Sequence, residues 1–414
     1  MEPGVKAKLS PIAILAGCLF ACGTASAQLV LGQYADEAPL GTWNVYGAPS
    51  APAVALAGCQ FARARDVSAS LANPALLTKL PRTSASIAAS YGASSMYRYA
   101  LVNTGVVSSQ GNLTAGVLAL DHGGFAVRTG GWALALAVAS PESYARPGIV
   151  VSGGGYQLTF EQSGYLRIFH AGVARRLAAG LSLGLGVNYA TGRLDRTSVE
   201  QTADLLRIVT ITDEKHETYR GVFFNGGLTW EATSKLTAAA VVRSPYVKEG
   251  PATSLLRYEV TPAGTDILIE AEAENSYRQP WVVGAGVSYR LGAAWSVVAD
   301  AAWFGWSQYE GTYFEEPLAR AFRDIVKGGL GLEYLAPTRV SGKPAGIPLR
   351  LGVSVDPQPM TDVASTYLSW TFGTGLALES FAIDISASLG RENGSGRDLR
   401  SGRIVLSMRY TFHE

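Results

Sequence analysis

Four arginines stand where they could bind a carboxylate: Arg290, Arg350, Arg403 and Arg409. They lie in segments in which apolar and polar residues alternate, and each falls on the polar side. A planar guanidinium can donate two parallel hydrogen bonds to a carboxylate. Acidic residues share the polar sides of these segments, so two interpretations stay open. Either the charges form ion pairs that order the interior, or one or two of the arginines bind a ligand carboxylate.

The residue types that catalyse reactions occur without the spacing that catalysis needs. The four histidines are scattered: His122, His170, His216 and His413. We find no HExxH pattern, no Cys/His cluster and no GxSxG turn in the sequence. The glycines of "GLGVNYATG" and "GAGVSY" recur at period two on one strand face, which does not resemble a phosphate-binding loop. We therefore predict no enzyme activity, no metal and no cofactor.

The first 27 residues have the pattern of a secretory signal. Lys6 and Lys8 precede the apolar run "IAILAGCLFACG", and Ala25-Ser26-Ala27 fits a cleavage site. "LAGC", ending at Cys18, resembles a lipobox, so a lipidated Cys18 is the alternative. Either signal takes the protein out of the cytoplasm.

Composition limits the remaining possibilities. A mature chain that begins at Gln28 keeps only Cys59, so no intrachain disulfide is possible, and Cys59 is expected to be a small buried residue. The formal net charge of +1 indicates no nucleic-acid partner. Beyond Gln28 no apolar run reaches the length of a membrane-spanning helix.

Period-two alternation runs through most of the chain and predicts β-strands. In "LSLGLGVNYAT" the residues Leu183, Leu185 and Val187 alternate with glycine or serine. Fourteen strands are expected to start near Thr83, Leu113, Trp132, Tyr165, Leu181, Tyr219, Leu236, Trp281, Trp295, Asp324, Ile347, Tyr367, Leu378 and Arg403.

The connections between these strands alternate in length. Short turns such as 177–180, 231–235 and 291–294 alternate with long polar segments, which include 193–218 and 245–279. Short turns at one end and long loops at the other are typical of outer-membrane barrels. Tyrosine and tryptophan near strand ends fit the boundary between lipid and water. We therefore predict an all-β fold, a transmembrane antiparallel barrel of about 14 strands, and prefer it to a soluble sandwich. The expected location is the Gram-negative outer membrane, in contact with its lipid, as a monomer.

Several stretches of the sequence resemble one family. "DVSASLANPALL" (66–77) precedes the first strand and resembles the Asn-Pro-Ala motif of the FadL family of outer-membrane transporters for long-chain fatty acids and hydrocarbons. The stretches 228–245, 280–307 and 349–359 are similar to later strands and turns of that family. The resemblance implies a fourteen-stranded barrel whose lumen is plugged by an N-terminal hatch.

The signal pattern and the resemblance together suggest a division of the chain. Residues 1–27 would be the signal peptide, 28–82 a periplasmic lead and the hatch, and 83–414 the barrel. Asn73, Pro74 and Ala75 would lie on the hatch. Pro74 would force a turn there, and the Asn73 amide would pair with backbone groups that the turn leaves unsatisfied. The lead up to Cys59 is longer than is usual in the family.

The resemblance also implies passive uptake of long-chain fatty acids or similar hydrophobic compounds. The long loops would capture the ligand through Trp306, Tyr309, Tyr313 and Phe314. The ligand would then pass to a pocket in the lumen and, after hatch movement, leave sideways through a distorted third strand. Pro141 is the candidate for that distortion, although it could simply begin an external loop. Two alternatives are a related barrel that serves as shuttle or anchor in protein secretion, and a general diffusion porin.

Overall fold

A computed structural model describes residues 50–95, 100–103, 106–109, 114–144, 146–178, 180–318, 321–361, 364–394 and 400–412. The predicted signal peptide, Cys18, the lead from 28 to 49 and His413 lie outside these ranges. Within the described ranges no helix is long and apolar enough to cross a membrane. Most described residues lie in β-strands, which form one large sheet.

The wall of the protein consists of fourteen strands, numbered here β1 to β14. Their bounds are β1 Thr83–Ser95, β2 Thr114–Thr129, β3 Trp132–Ser143, β4 Tyr156–Ala178, β5 Leu181–Ala203, β6 Ile208–Glu231, β7 Leu236–Arg243, β8 Val282–Arg290, β9 Trp295–Phe304, β10 Ile325–Val340, β11 Lys343–Pro357, β12 Thr366–Ala377, β13 Phe381–Asn393 and β14 Arg400–Thr411.

The wall closes on itself. Each strand pairs antiparallel with the next, and β1 also pairs with β14 from Ser84–Thr411 to Ser94–Ser401. Closure gives every wall strand a neighbour on both sides, which a lipid environment requires because it offers no hydrogen bonds. The predicted fourteen-stranded barrel is confirmed.

The two faces of the wall differ as the alternation predicted. On β5, Leu183, Leu185, Val187 and Tyr189 are exposed on the outside, whereas Ser182 and Asn188 are buried. An outer face of exposed apolar side chains matches the hydrocarbon of a bilayer. Tyr and Trp side chains are exposed at or beside the ends of several strands: Trp230, Trp281, Tyr289, Trp295 and Tyr410. Tyr189 is also exposed, but it lies within the long strand β5.

Strands extend much further beyond the membrane than the sequence suggested. β4, β5 and β6 have 23, 23 and 24 residues, whereas a crossing needs only about 9–11. The hairpin of strands Tyr246–Thr261 and Thr265–Gln279 continues this sheet beside β6. The interpretation of 193–218 and 245–279 as polar loops was therefore wrong. Above the bilayer both strand faces meet water, so the alternation that marks a strand fades.

Among the described residues, other connections on that side contain short elements of structure. They are the strands Ala100–Asn103, Val106–Ser109, Arg146–Gly153, Gly311–Tyr313 and Glu316–Pro317, and the 3-10 helix Trp306–Gln308. Ala100–Asn103 and Val106–Ser109 form a separate hairpin.

The N-terminal residues 50–82 form what we call the inner segment. It contains α1 (Ala51–Ala55), α2 (Ala69–Ala72) and a 3-10 helix (Pro74–Lys79). Nearly all residues of the segment from Ser50 to Leu80 are buried or half-buried. Its contacts are to inward-facing residues of strands all around the wall, so it lies inside the barrel.

Candidate functional site

Asn73 organises the turn between α2 and the 3-10 helix. It is fully buried; its Oδ1 accepts a hydrogen bond from the Ala75 N–H at 3.0 Å, and its Nδ2 donates to the Phe61 carbonyl at 2.6 Å. Pro74 takes the first helical position, where its missing N–H costs nothing. The Asn-Pro-Ala stretch thus links two parts of the inner segment.

Inward-facing glycines let this turn approach the wall. A β-carbon at Gly184 would lie 2.2 Å from the Ala75 nitrogen, and one at Gly227 would lie 1.9 Å from Asn73 Oδ1. Either position would therefore exclude a larger residue without a shift of the inner segment. The glycines that alternate along these strands serve close packing.

A polar chain fixes the inner segment to β4, β5 and β6. Asn225 Nδ2 donates to the carbonyls of Ser70 and Leu71, at 3.2 and 3.0 Å. Asn188 Nδ2 donates to Asn225 Oδ1 at 2.9 Å, and its Oδ1 lies 2.8 Å from His170 Nδ1. His170 is thus part of a hydrogen-bonded wall network, and within the described residues no group of metal-ligating side chains occurs.

A buried charge cluster lies on the opposite wall. Arg350 donates to Glu333 at 2.7 Å and to Asp384 at 2.6 Å. From the inner segment, Arg63 and Arg65 reach the same Glu333 at 2.8 and 2.6 Å. Burial and, to a smaller extent, repulsion from Arg63 lower the pKa of Arg65 to about 9. The cluster has more positive than negative charge and connects wall to inner segment.

The other three predicted arginines have different surroundings. Arg403 is buried and paired with Asp121. Arg409 donates to the Arg65 carbonyl at 2.6 Å, and Arg290 is exposed at the end of β8, where it donates to the Ser234 carbonyl. Arg290 and Arg409 thus border the same stretch of the inner segment, 63–65, that shares Glu333 with Arg350, whereas Arg403 pairs with Asp121.

The wall is irregular at β3. Pairing of β3 with β2 extends from Trp132 to Ala139, opposite His122. Pairing with β4 shifts register between Ala139 and Glu142, and Pro141 lies in that shift. Proline cannot donate a ladder hydrogen bond. On the other side of β2, Asp121 is an extra residue in the pairing with β1. The β2–β3 pairing, called the seam below, therefore lies between two irregular pairings, β1–β2 and β3–β4, at the same height in the wall.

Aromatic and apolar side chains fill the lumen beside this irregularity. Leu71 of the inner segment packs in one cluster with Ala139 and Phe223, and Tyr144 and Tyr246 border it. The rings of Phe223 and Tyr246 stack with centroids 4.6 Å apart. An apolar surface thus leads from the inner segment to the distorted part of the wall.

A lysine borders the same surface. Lys248 Nζ lies 5.9 Å from the Tyr144 ring centroid and 5.6 Å from that of Tyr219, and 3.4 Å from the Tyr144 hydroxyl. Among the described residues, no carboxylate lies within ion-pair distance of Lys248. Sequence reasoning missed this region. The available signal was Tyr219 and Phe223, large rings on the strand face that Asn225 marks as inward.

The four candidate capture residues fall into two groups. Trp306 and Tyr309 surround Phe322, with centroid distances of 5.7 and 4.8 Å. Tyr313 and Phe314 pack edge to face at 4.9 Å, and the Phe314 N–H donates to Asn275 Oδ1 at 2.7 Å. All four are half-buried. They lie on the long-loop side, between β9 and β10.

Comparison with known proteins agrees with this geometry. Residues 46–367 match the sequence family described as outer membrane protein transport protein (OMPP1/FadL/TodX). The chain belongs to this family. Its members are transport proteins of the outer membrane, and the expected location is confirmed. Among curated proteins no relative of this sequence was found.

Solved structures show the same fold at low sequence identity. A FadL homologue from Pseudomonas aeruginosa matches with a TM-score of 0.64 and 14% identity, over 89% of this chain and 100% of that one. The toluene transporter TbuX of Ralstonia pickettii matches at 0.62 and 17%, over 89% and 100%. The toluene transporter TodX of Pseudomonas putida matches at 0.61 and 13%, over 90% and 100%.

Proposed function

We propose that this protein carries long-chain fatty acids or similar hydrophobic compounds passively across the outer membrane. The observation that carries the proposal is the apolar surface that joins Leu71 of the inner segment to Ala139, the last residue of β3 paired with β2. The free energy of an apolar ligand falls when it leaves water for such a surface. The weakened β2–β3 pairing then offers an exit into lipid rather than into water.

The route has three parts. The rings of Trp306, Tyr309, Tyr313 and Phe314 capture the ligand on the outer side. It then moves to the lumen surface around Phe223 and Tyr246. Displacement of the inner segment opens the path to the seam at Pro141, where the ligand leaves sideways.

The wall arginines differ in how readily they could bind a ligand carboxylate. Arg350 and Arg403 hold carboxylates of the protein itself. For Arg290 and Arg409, the described partners are neutral carbonyls, so these two keep positive charge that a ligand could use. Lys248, over its aromatic rings, is a further candidate and lies beside the apolar surface.

Monoaromatic hydrocarbons are the second candidate ligand class. The structures similar in fold include toluene transporters, and stacked rings such as Phe223 and Tyr246 suit a flat aromatic guest. A neutral guest would make no use of Lys248.

The proposal is tested with purified protein in proteoliposomes and with cells that express it. Labelled long-chain fatty acid and labelled toluene are offered in parallel, and planar bilayers measure conductance. Saturable uptake of either compound with almost no conductance supports the proposal. Large conductance without saturation indicates a diffusion porin, and a co-purifying protein without uptake indicates a secretion anchor.

A further inference from the structure

Three arginines form a patch on the outward face of the long strands. Arg167 on β4, Arg193 on β5 and Arg220 on β6 are all exposed. Their strands are adjacent, and Thr191 pairs with both Arg167 and Arg220. Arg193 lies two residues further up on β5, on the same face as Thr191. The register therefore brings the three arginines together, independently of the lumen.

The patch begins where the lipid-facing surface ends. One step down the same face, Phe169 pairs with Tyr189, and Tyr189 pairs with Val222; all three are exposed apolar or aromatic side chains. On β4, eight residues after Arg167, Arg175 is exposed at the short-turn end of the strand. Its guanidinium lies 4.8 Å from the Trp132 ring centroid. Eight residues of strand span about 26 Å, or roughly 20 Å along the membrane normal at the tilt of about 35–45° that barrel strands have, and long arginine side chains extend further toward the edges of an apolar band about 25 Å tall. Arg167 and Arg175 therefore mark opposite boundaries of the bilayer.

Two of the three guanidiniums share one ring. The Arg167 guanidinium lies 4.1 Å from the Tyr165 ring centroid and that of Arg193 lies 5.8 Å from it. Stacking on a ring restricts a long side chain and leaves its N–H groups free for an anion.

The negative charge nearby compensates this patch only in part. Arg193 Nε lies 3.4 Å from Asp195, which His216 also contacts. Glu249 is the register partner of Arg220 on the adjoining strand. Among the described residues, however, neither Arg167 nor Arg220 has a carboxylate at ion-pair distance.

We propose that Arg167, Arg193 and Arg220 bind the phosphate groups of a lipid headgroup in the outer leaflet. Guanidinium forks match phosphate oxygens, and basic clusters at a membrane boundary recognise anionic headgroups. The continuity with Phe169, Tyr189 and Val222 selects a lipid as the occupant, because its acyl chains cover those side chains while its phosphates meet the arginines. The site anchors and orients the barrel and does not depend on which compound is transported.

The test compares lipid A that carries its phosphates with dephosphorylated lipid A on purified protein in detergent. The triple variant R167Q/R193Q/R220Q should bind the phosphorylated lipid roughly 100-fold more weakly, about fivefold for each arginine. Arg175→Gln, on the same strand and face but at the other boundary, should bind as the unchanged protein does. Higher salt should weaken binding to the unchanged protein.

Several results would overturn the proposal. They are equal affinity for the two lipids, full affinity of the triple variant, and displacement of the lipid by an equal concentration of inorganic phosphate. A band shift on gels between unboiled and boiled samples shows that each variant folds. If the triple variant fails that check, the three single variants decide, each with a loss of about fivefold expected.

Discussion

Asn73 occupies space that Gly227 leaves open: a β-carbon at position 227 would lie 1.9 Å from Asn73 Oδ1. The residue that holds the turn of the inner segment is thus matched to one wall glycine. Gly226, the neighbour of Gly227, faces the other way, and a β-carbon there would meet Leu185 and Val242 at an ordinary 3.5 Å.

We expect Gly227→Ala to displace the inner segment. Overpacking of this kind costs about 1–3 kcal/mol, which should lower the temperature at which the folded gel band disappears and should raise conductance in planar bilayers. Gly226→Ala is the matched control and should change neither property. Identical conductance of the two variants would show that the position of Asn73 in the lumen does not depend on this glycine.

Pro141→Ala should reduce uptake of the transported compound several-fold. Alanine restores an N–H to β3 and permits regular pairing at the register shift, which would narrow the proposed exit. Pro348→Ala serves as control, because Pro348 lies in a stretch of β11 that pairs with β10 without a shift. Initial rates of uptake into proteoliposomes measure the effect, and an unchanged rate for Pro141→Ala removes the support for an exit at this position.

Arg350→Ala should lower the thermal stability of the barrel and not only the affinity for a ligand. The substitution leaves the buried Asp384 without the Arg350 guanidinium, while Glu333 keeps Arg63 and Arg65. Breaking a buried ion pair costs about 3–5 kcal/mol, and we expect the lower end because Glu333 stays paired. Arg339→Ala, at the exposed end of β10, is the control. If thermal stability is retained but fatty acid binding is lost, Arg350 serves the ligand instead.

Lys248→Met should separate the two candidate ligand classes. Loss of the ammonium should weaken binding of a long-chain fatty acid roughly tenfold, or about 1.4 kcal/mol, and leave toluene binding unchanged. Lys235→Met, in the exposed turn before β7, controls for the loss of one positive charge. Equal effects on both compounds would mean that Lys248 contributes packing and not charge recognition.

Local patterns in the sequence determined much of this protein. The bilayer on one side of the wall and the packed lumen on the other determine alternation such as that of Leu183, Leu185 and Val187. The alternation therefore predicts a strand even when the strands that pair with it are unknown. The even number of strands and their unequal connections followed in the same way. The long strands β4 to β6 were underestimated because no bilayer acts on their outer ends.

Tertiary structure alone decided which charges meet. Arg350 and Arg403 look alike in sequence, yet closure of the barrel brings Asp384 to one and Asp121 to the other. Tyr144 meets Tyr246 and Lys248 only because closure of the wall brings residues that are distant in the chain to the same part of the lumen. Contacts of this kind depend on register across the whole wall, and a period-two pattern reports which face a residue occupies but not which partner lies beside it.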